Sequence, residues 1–172
     1  RQCHGEPTRR IGPEAAQPFA RAEMLNALQG RADDELAREL RRLRNRVLLR
    51  GYNGPELYAA WLAVMKTGAI AVTTMPMLRA PELTAIIGKA EPAYALCDHR
   101  LLMELRAAVT AKGMIKTLIA WGDGDLEGRM DRASDEFTNA NTAADDVCLL
   151  AFTSGTTGQP KACMHFHRDV LA

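Results

Sequence analysis

The sequence predicts an α/β fold in which a mostly parallel sheet is covered by helices on both faces. Two observations support this: short apolar runs of strand length recur along the chain, and segments of helical length alternate with them. Such alternation favours right-handed crossovers, which place parallel strands side by side. The composition agrees, because 47% apolar and 25% charged residues are ordinary values for a globular domain.

The predicted elements follow one another from Arg46 onwards. Turn residues separate them, with proline near the start of two helices and glycine near the end of two. We predict strands at RVLLR (46–50), AIAVTT (69–74), AYALCD (93–98), KTLIAW (116–121) and VCLLAF (147–152), and helices at PELYAAWLAVMKTG (55–68), APELTAIIGKAE (80–91) and HRLLMELRAAVTAKG (99–113). Upstream, DDELARELRRLR (33–44) also predicts a helix, with acidic residues in its first turn and arginines in its last.

The front of the chain is basic although the whole chain has a net charge of only +1. The first 50 residues contain eleven arginines, no lysine and seven acidic residues. Because only Phe19 interleaves with these arginines, we favour a solvated helix face over a nucleic-acid contact. We therefore expect an atypical basic segment, partly helical, over residues 1–44 and a separate domain from residue 45 to residue 172.

Cysteine spacing and hydropathy indicate the kind of cellular environment in which we expect the protein. The cysteines at positions 3, 97, 148 and 163 form no C-x-x-C pair, which argues against a zinc site and favours reduced thiols in the cytoplasm. No apolar run approaches the roughly 20 residues that a membrane helix needs, so we expect no membrane partner.

An acidic, glycine-rich stretch, WGDGDLEGRMDRASDE (121–136), interrupts the alternation. Asp123, Asp125 and Glu127 alternate as in a calcium loop. The EF-hand pattern requires a glutamate at its twelfth position, which here is Ser134 when counted from Asp123. We therefore predict a solvated surface loop without calcium.

The stretch FTSGTTGQPK (152–161) follows the last predicted strand, where open α/β sheets bind ligands. Its two glycines can adopt positive φ and let several backbone N–H groups converge on one anion. Hydroxyl groups and one lysine add donors and positive charge, and the candidate residues are Thr153, Ser154, Gly155, Thr156, Thr157, Gly158 and Lys161. The Walker pattern is not met, so we predict a different phosphate loop; a turn without a ligand is the alternative.

The stretch LLAFTSGTTGQPKACMHFHRD resembles the phosphate-binding signature of the adenylate-forming superfamily, which includes acyl-CoA and aryl-CoA synthetases, luciferases and the adenylation domains of peptide synthetases. The similarity extends from about Asn45 to Ala172, so residues 45–172 are expected to form part of the large N-terminal domain of such an enzyme. The details TTMPMLRAPEL and HFHRD are most similar to CoA ligases for benzoate-type or 2-aminobenzoate-type acids.

The resemblance implies a reaction in two steps, with ATP, Mg²⁺ and CoA as cofactors or co-substrates. A carboxylate attacks the α-phosphate of ATP to give acyl-AMP and pyrophosphate, and the thiol of CoA then takes the acyl group. The resemblance also implies that residues 153–158 wrap the β- and γ-phosphates and that Lys161 assists as a charge.

The resemblance also implies elements that would follow the loop, including an adenine-binding segment and a C-terminal catalytic lysine. Because the chain ends at Ala172 without them, we interpret it as an N-terminal fragment that makes no acyl-CoA alone. The alternative is a non-catalytic α/β domain that binds phosphate weakly or acts as an interaction module. His165 and His167 could suggest a metal pair, but with no third ligand nearby we expect no metal there. The resemblance instead places them on a short strand that leads into a helix.

Overall fold

Six strands form one sheet in the computed structural model, which describes residues 46–133, 136–153 and 160–171. The strands are β1 Arg46–Arg50, β2 Ile70–Thr74, β3 Tyr94–Asp98, β4 Thr117–Trp121, β5 Val147–Thr153 and β6 Lys161–Phe166. The helices are α1 Pro55–Lys66, α2 Ala80–Ala90, α3 Leu102–Lys112, α4 Asp125–Met130 and α5 His167–Leu171, and a 3₁₀ turn, His99–Leu101, precedes α3. The helix predicted at 33–44 lies outside the described residues.

The strand order across the sheet is β4-β3-β1-β2-β5-β6. The first five strands are parallel, and β6 runs antiparallel to β5 at the edge. The predicted parallel sheet is confirmed, and each of its five strands lies within one residue of the predicted bounds. The short strand and following helix that the family resemblance implied, β6 and α5, are present as well.

Helices cover both faces of the sheet because successive strand residues point to opposite sides. On one face, Val47 and Leu49 of β1 pack into a buried cluster with α1 and with Leu126 of α4. On the other face, Leu48 packs with residues of α2 and α3. Burying both faces requires nearly continuous apolar strands, which explains sequences such as RVLLR and YALCD.

The acidic stretch was predicted to be a surface loop, and this is wrong for residues 125–130, which form α4. The helix begins where the Glu127 carboxylate accepts hydrogen bonds from the backbone N–H groups of Gly122, at 2.7 Å, and Gly124, at 3.1 Å. Both glycines have positive φ, 86° and 96°, which turns the chain from β4 into the helix. Leu126 anchors the helix in the core. Glu127 therefore caps the N-terminus of a helix and is not part of a surface loop.

None of the helices in the described ranges is long and apolar enough to cross a bilayer.

Candidate functional site

The candidate phosphate loop connects β5 to β6 at the carboxyl end of the parallel strands. In the antiparallel pair, Thr153 at the end of β5 lies opposite Lys161 at the start of β6. Both residues are exposed. Ser154, Gly155, Thr156, Thr157 and Gly158 lie outside the described residues, and their phosphate contacts stay a prediction. The structure thus fixes the two ends of the loop, which face each other across one hairpin.

The end of this connection also contacts α2. The ammonium group of Lys89 donates a hydrogen bond to the carbonyl of Pro160 at 2.9 Å. Because Pro160 directly precedes Lys161, this bond helps to orient the start of β6. The sequence analysis missed Lys89, since an exposed lysine near a helix end is common and its partner lies 71 positions away in the chain.

The loop between β2 and α2 lies beside β5 and is held by a buried arginine. Arg50, the last residue of β1, is only 1% exposed, and its guanidinium donates hydrogen bonds to four backbone carbonyls. Burial lowers its pKa from the ordinary value, an effect that the charge of Glu104 and other groups partly offsets. An arginine that ends an apolar strand was the available signal, because a charge there is buried only when it is paired.

A second group of polar side chains lies at the carboxyl end of β3. Asp98 accepts two hydrogen bonds from the Arg100 guanidinium, at 2.9 and 2.5 Å, and one from the Arg100 backbone N–H at 3.0 Å. These bonds hold the pKa of Asp98 below its ordinary value. The guanidinium also stacks on the Tyr52 ring, 4.7 Å from its centroid. This group therefore holds the loops after β1 and β3 together at the carboxyl edge.

The cysteine at this edge is unsuited to nucleophilic chemistry. Burial raises the pKa of the Cys97 thiol to about 12, so the thiol is protonated at neutral pH. A protonated thiol is a poor nucleophile and a poor metal ligand. Cys97 therefore acts as a core residue, in agreement with its place in a buried apolar cluster.

The two histidines take up structural positions. His165 lies on β6 opposite Leu149, and His167 begins α5, as expected from the family resemblance. The backbone N–H of His167 donates to the carbonyl of Asp146 at 3.1 Å. Within the described ranges, no group of three or more His, Cys, Asp or Glu side chains could hold a metal ion.

Comparison with known proteins decides the family. A profile described as AMP-binding enzyme matches residues 31–172. The chain belongs to this family. The match begins upstream of the domain boundary predicted at residue 45, and that boundary stays a prediction.

Two related sequences and one solved structure illustrate the similarity. The uncharacterized acyl-CoA ligase YtcI of Bacillus subtilis is 35% identical to this chain over 114 residues. The aligned segment covers 65% of this chain and 22% of YtcI. Over 153 residues, 87% of this chain, it is 34% identical to the medium/long-chain-fatty-acid–acyl-carrier-protein ligase FadD10 of Mycobacterium tuberculosis, and covers 28% of it. The crystal structure of the anthranilate CoA ligase AuaEII in complex with anthranoyl-AMP matches 91% of this chain at a TM-score of 0.75 and 21% identity.

The similarity covers only part of each of these three proteins. The chain spans about a quarter of the length of each of the three, between 22% and 28%. The structural match confirms the α/β fold. Both related sequences carry the name of a ligase.

Proposed function

We propose that this chain supplies the phosphate-binding loop of an ATP-dependent carboxylic acid:CoA ligase. In the first step, a carboxylate oxygen attacks the α-phosphorus of ATP, and pyrophosphate leaves. In the second step, the sulfur of CoA attacks the acyl carbon, and AMP leaves. The chain's part is to hold the β- and γ-phosphates while the bond to the α-phosphate breaks, which is a positioning role.

The observation that supports this proposal most directly is the hairpin from Thr153 to Lys161. It brings a loop with two glycines and several hydroxyls to the carboxyl edge of a parallel sheet, where α/β proteins bind their ligands. Hydrogen bonds to charged groups contribute about 1.5–3 kcal/mol each, so a few of them suffice to hold a phosphate tail. Lys161 is exposed and adjoins the loop, so its charge can approach an anion.

Mg²⁺ would reach the site bound to the phosphates of ATP. Mg²⁺ retains several waters and binds mainly to substrate phosphates with one or two carboxylates. The chain's own contribution to the bound nucleotide is then the loop and Lys161.

For the acid, we propose an aromatic substrate of the benzoate or 2-aminobenzoate type. The support is the similarity of TTMPMLRAPEL, which spans residues 73–83, and of HFHRD, residues 165–169, to ligases for such acids. A medium-chain or long-chain fatty acid is the competing substrate, because the name of FadD10 includes that class.

The test is ATP–pyrophosphate exchange by the complete gene product that contains this chain. Benzoate, 2-aminobenzoate, octanoate and palmitate are supplied in turn, and CoA is then added to measure thioester formation. We expect exchange with the aromatic acids and transfer to CoA. Exchange with the fatty acids only would contradict the aromatic assignment, and absence of exchange with every acid would contradict the ligase itself.

A charge variant and a matched control connect the activity to the loop. Lys161→Ala removes the charge beside the loop, and Lys112→Ala removes an exposed lysine from the last turn of α3. We expect Lys161→Ala to slow exchange by roughly 10- to 100-fold and to weaken its dependence on salt, since an interaction with an anion is lost. Equal rates in both variants would mean that Lys161 takes no part.

A further inference from the structure

Arg50 is a buried cation whose hydrogen-bond partners are backbone carbonyls. Its Nη1 donates to Met75 O at 2.9 Å, and its Nη2 donates to Pro76 O at 3.0 Å and to Leu78 O at 2.8 Å. Its Nε reaches Leu101 O, in the turn after β3, at 3.4 Å. Three of the four acceptors therefore belong to the short loop between β2 and α2, residues 75–79.

The arrangement of these carbonyls requires several N–H donors held in one plane, as in a guanidinium. Three carbonyl oxygens of one loop point towards the same buried site, where their dipoles repel one another without a cation between them. A guanidinium presents five N–H donors in a fixed plane, whereas the ammonium of lysine is a compact charge with three rotating donors. Within the described ranges no carboxylate lies within ion-pair distance of Arg50, although Glu104 acts on its charge at longer range. The charge of Arg50 is thus committed to shaping this loop.

The loop that Arg50 holds adjoins the strand that leads into the candidate phosphate loop. β2 pairs with β5 up to Thr73 and Ala151, two residues before Thr153. Beyond that pair, Leu78 of the loop and Phe152 of β5 pack against the same buried cluster of Val72, Ile86 and Ala90. Leu78 and Phe152 therefore share a packing surface, through which a change in the path of residues 75–79 is expected to reach Phe152 and its neighbour Thr153.

We propose that Arg50 is a positioning residue for the phosphate site: from the end of β1, it fixes the β2–α2 loop against β5 and so sets where Thr153 presents the nucleotide loop. That the loop after Thr153 binds phosphate rests on the proposed function. The link from Arg50 to Leu78, and from Leu78 to Phe152 through their shared cluster of Val72, Ile86 and Ala90, does not depend on that function.

The test compares Arg50→Met and Arg50→Lys with Arg46→Met. Arg46 is a matched control because it lies on the same strand and donates to a backbone carbonyl, Glu91 O, at 3.2 Å, but at the opposite end of β1. The structural readout is amide hydrogen exchange at Leu78, whose N–H donates to Met75 O at 3.2 Å, together with the amide chemical shift of Thr153.

We expect Arg50→Met to speed exchange at Leu78 by about tenfold or more and to move the Thr153 signal, while Arg46→Met does neither. Arg50→Lys should restore part of the protection. In the complete gene product, Arg50→Met should raise the KM for ATP on the order of tenfold to a hundredfold in pyrophosphate exchange, as expected for a misplaced binding loop. A purely structural role would lower stability without changing the KM of the folded enzyme.

Three results would overturn the inference. Arg50→Met could fold with unchanged signals at Leu78 and Thr153, or it could raise the KM no more than Arg46→Met does. Loss of folding in both Arg50 variants would show that the cation is needed by the whole core and has no local positioning role. If the wild-type enzyme shows no exchange while Leu78 and Thr153 respond to Arg50→Met, the structural link stands and the proposed ligase function fails.

Discussion

Replacing Gly51 by alanine tests how closely the carboxyl edge of the sheet is packed. Gly51 directly follows β1, and a Cβ added there would lie 2.5 Å from Cζ2 and 3.0 Å from Cη2 of Trp121. Trp121 ends β4, two strands away, and is only 5% exposed. The indole ring therefore reaches across the end of β3 to cover Gly51, which leaves no room for a methyl group.

The expected cost follows from the distance that must be recovered. Ordinary van der Waals contact begins near 3.4 Å, so the indole or the backbone must shift by about 1 Å. Inserting one methyl group into a well-packed core costs about 1–3 kcal/mol. At roughly 2–4 °C per kcal/mol for a chain of this size, the melting temperature should fall by about 2–12 °C.

The assay is thermal and urea denaturation of Gly51→Ala beside three companion variants: Gly128→Ala, Trp121→Leu, and Gly51→Ala combined with Trp121→Leu. Gly128→Ala is the matched control, because its Cβ would meet only Arg132, at 3.7 Å, inside α4, where alanine is favoured over glycine. The pair should lose less stability than the sum of the two single substitutions, since the smaller side chain makes room for the added methyl group. A Gly51→Ala protein as stable as wild type, or a pair of substitutions that simply add, would refute the packing argument.

Two further predictions concern the loop and the buried acid. In the complete gene product, Gly155→Val should weaken ATP binding at low and high salt alike, because the added β-branched side chain blocks a close approach of the nucleotide or a positive φ. Nucleotide titration at both ionic strengths measures the affinity, and a wild-type affinity would contradict the prediction. Asp98 has a lowered pKa in the folded state, so its contribution to stability is present above the unfolded value near pH 4 and is lost as the pH falls through the lower folded value. Asp98→Asn should therefore be less stable at pH 7 and show a flatter loss of stability in acid, and an unchanged acid slope would contradict the assignment.

Much of the fold could be predicted because its signals are local. A strand buried on both faces must be apolar along its whole length, so RVLLR and YALCD identified β1 and β3 without any tertiary information. Proline at the start of α1, and the glycine at position 68 just past its end, with φ 76°, marked that helix in the same way. Helix α4 was missed because it is short and only Leu126 and Met130 pack against the core, and because its N-terminus is capped by a carboxylate within the helix.

In the candidate site, too, the features with local sequence signals could be predicted and those that depend on tertiary contacts could not. The loop was predictable because glycines, hydroxyls and a lysine in one short string are a local pattern, and the structure shows that its ends, Thr153 and Lys161, meet across a hairpin. Its phosphate contacts stay a prediction. The supporting contacts of Arg50 and Lys89 could not be predicted, because their partners are main-chain carbonyls. Every residue has a carbonyl, so no residue type in the sequence marks such a partner.

Parallel topology explains why these supports converge on one edge. Five strands point the same way, so the residues that end them, among them Arg50, Asp98, Trp121 and Thr153, reach the same side of the sheet although they are far apart in the chain. Each end is joined to a neighbour by a different interaction: the guanidinium of Arg50 to the β2–α2 loop, the Asp98 carboxylate to the turn after β3, and the Trp121 ring to the backbone after β1. Since β2 lies between β1 and β5, a change at Arg50 reaches Thr153 through one intervening strand and its loop. We therefore expect the loop's own sequence to determine which ligand groups it binds, and residues on neighbouring strands to determine where it binds them.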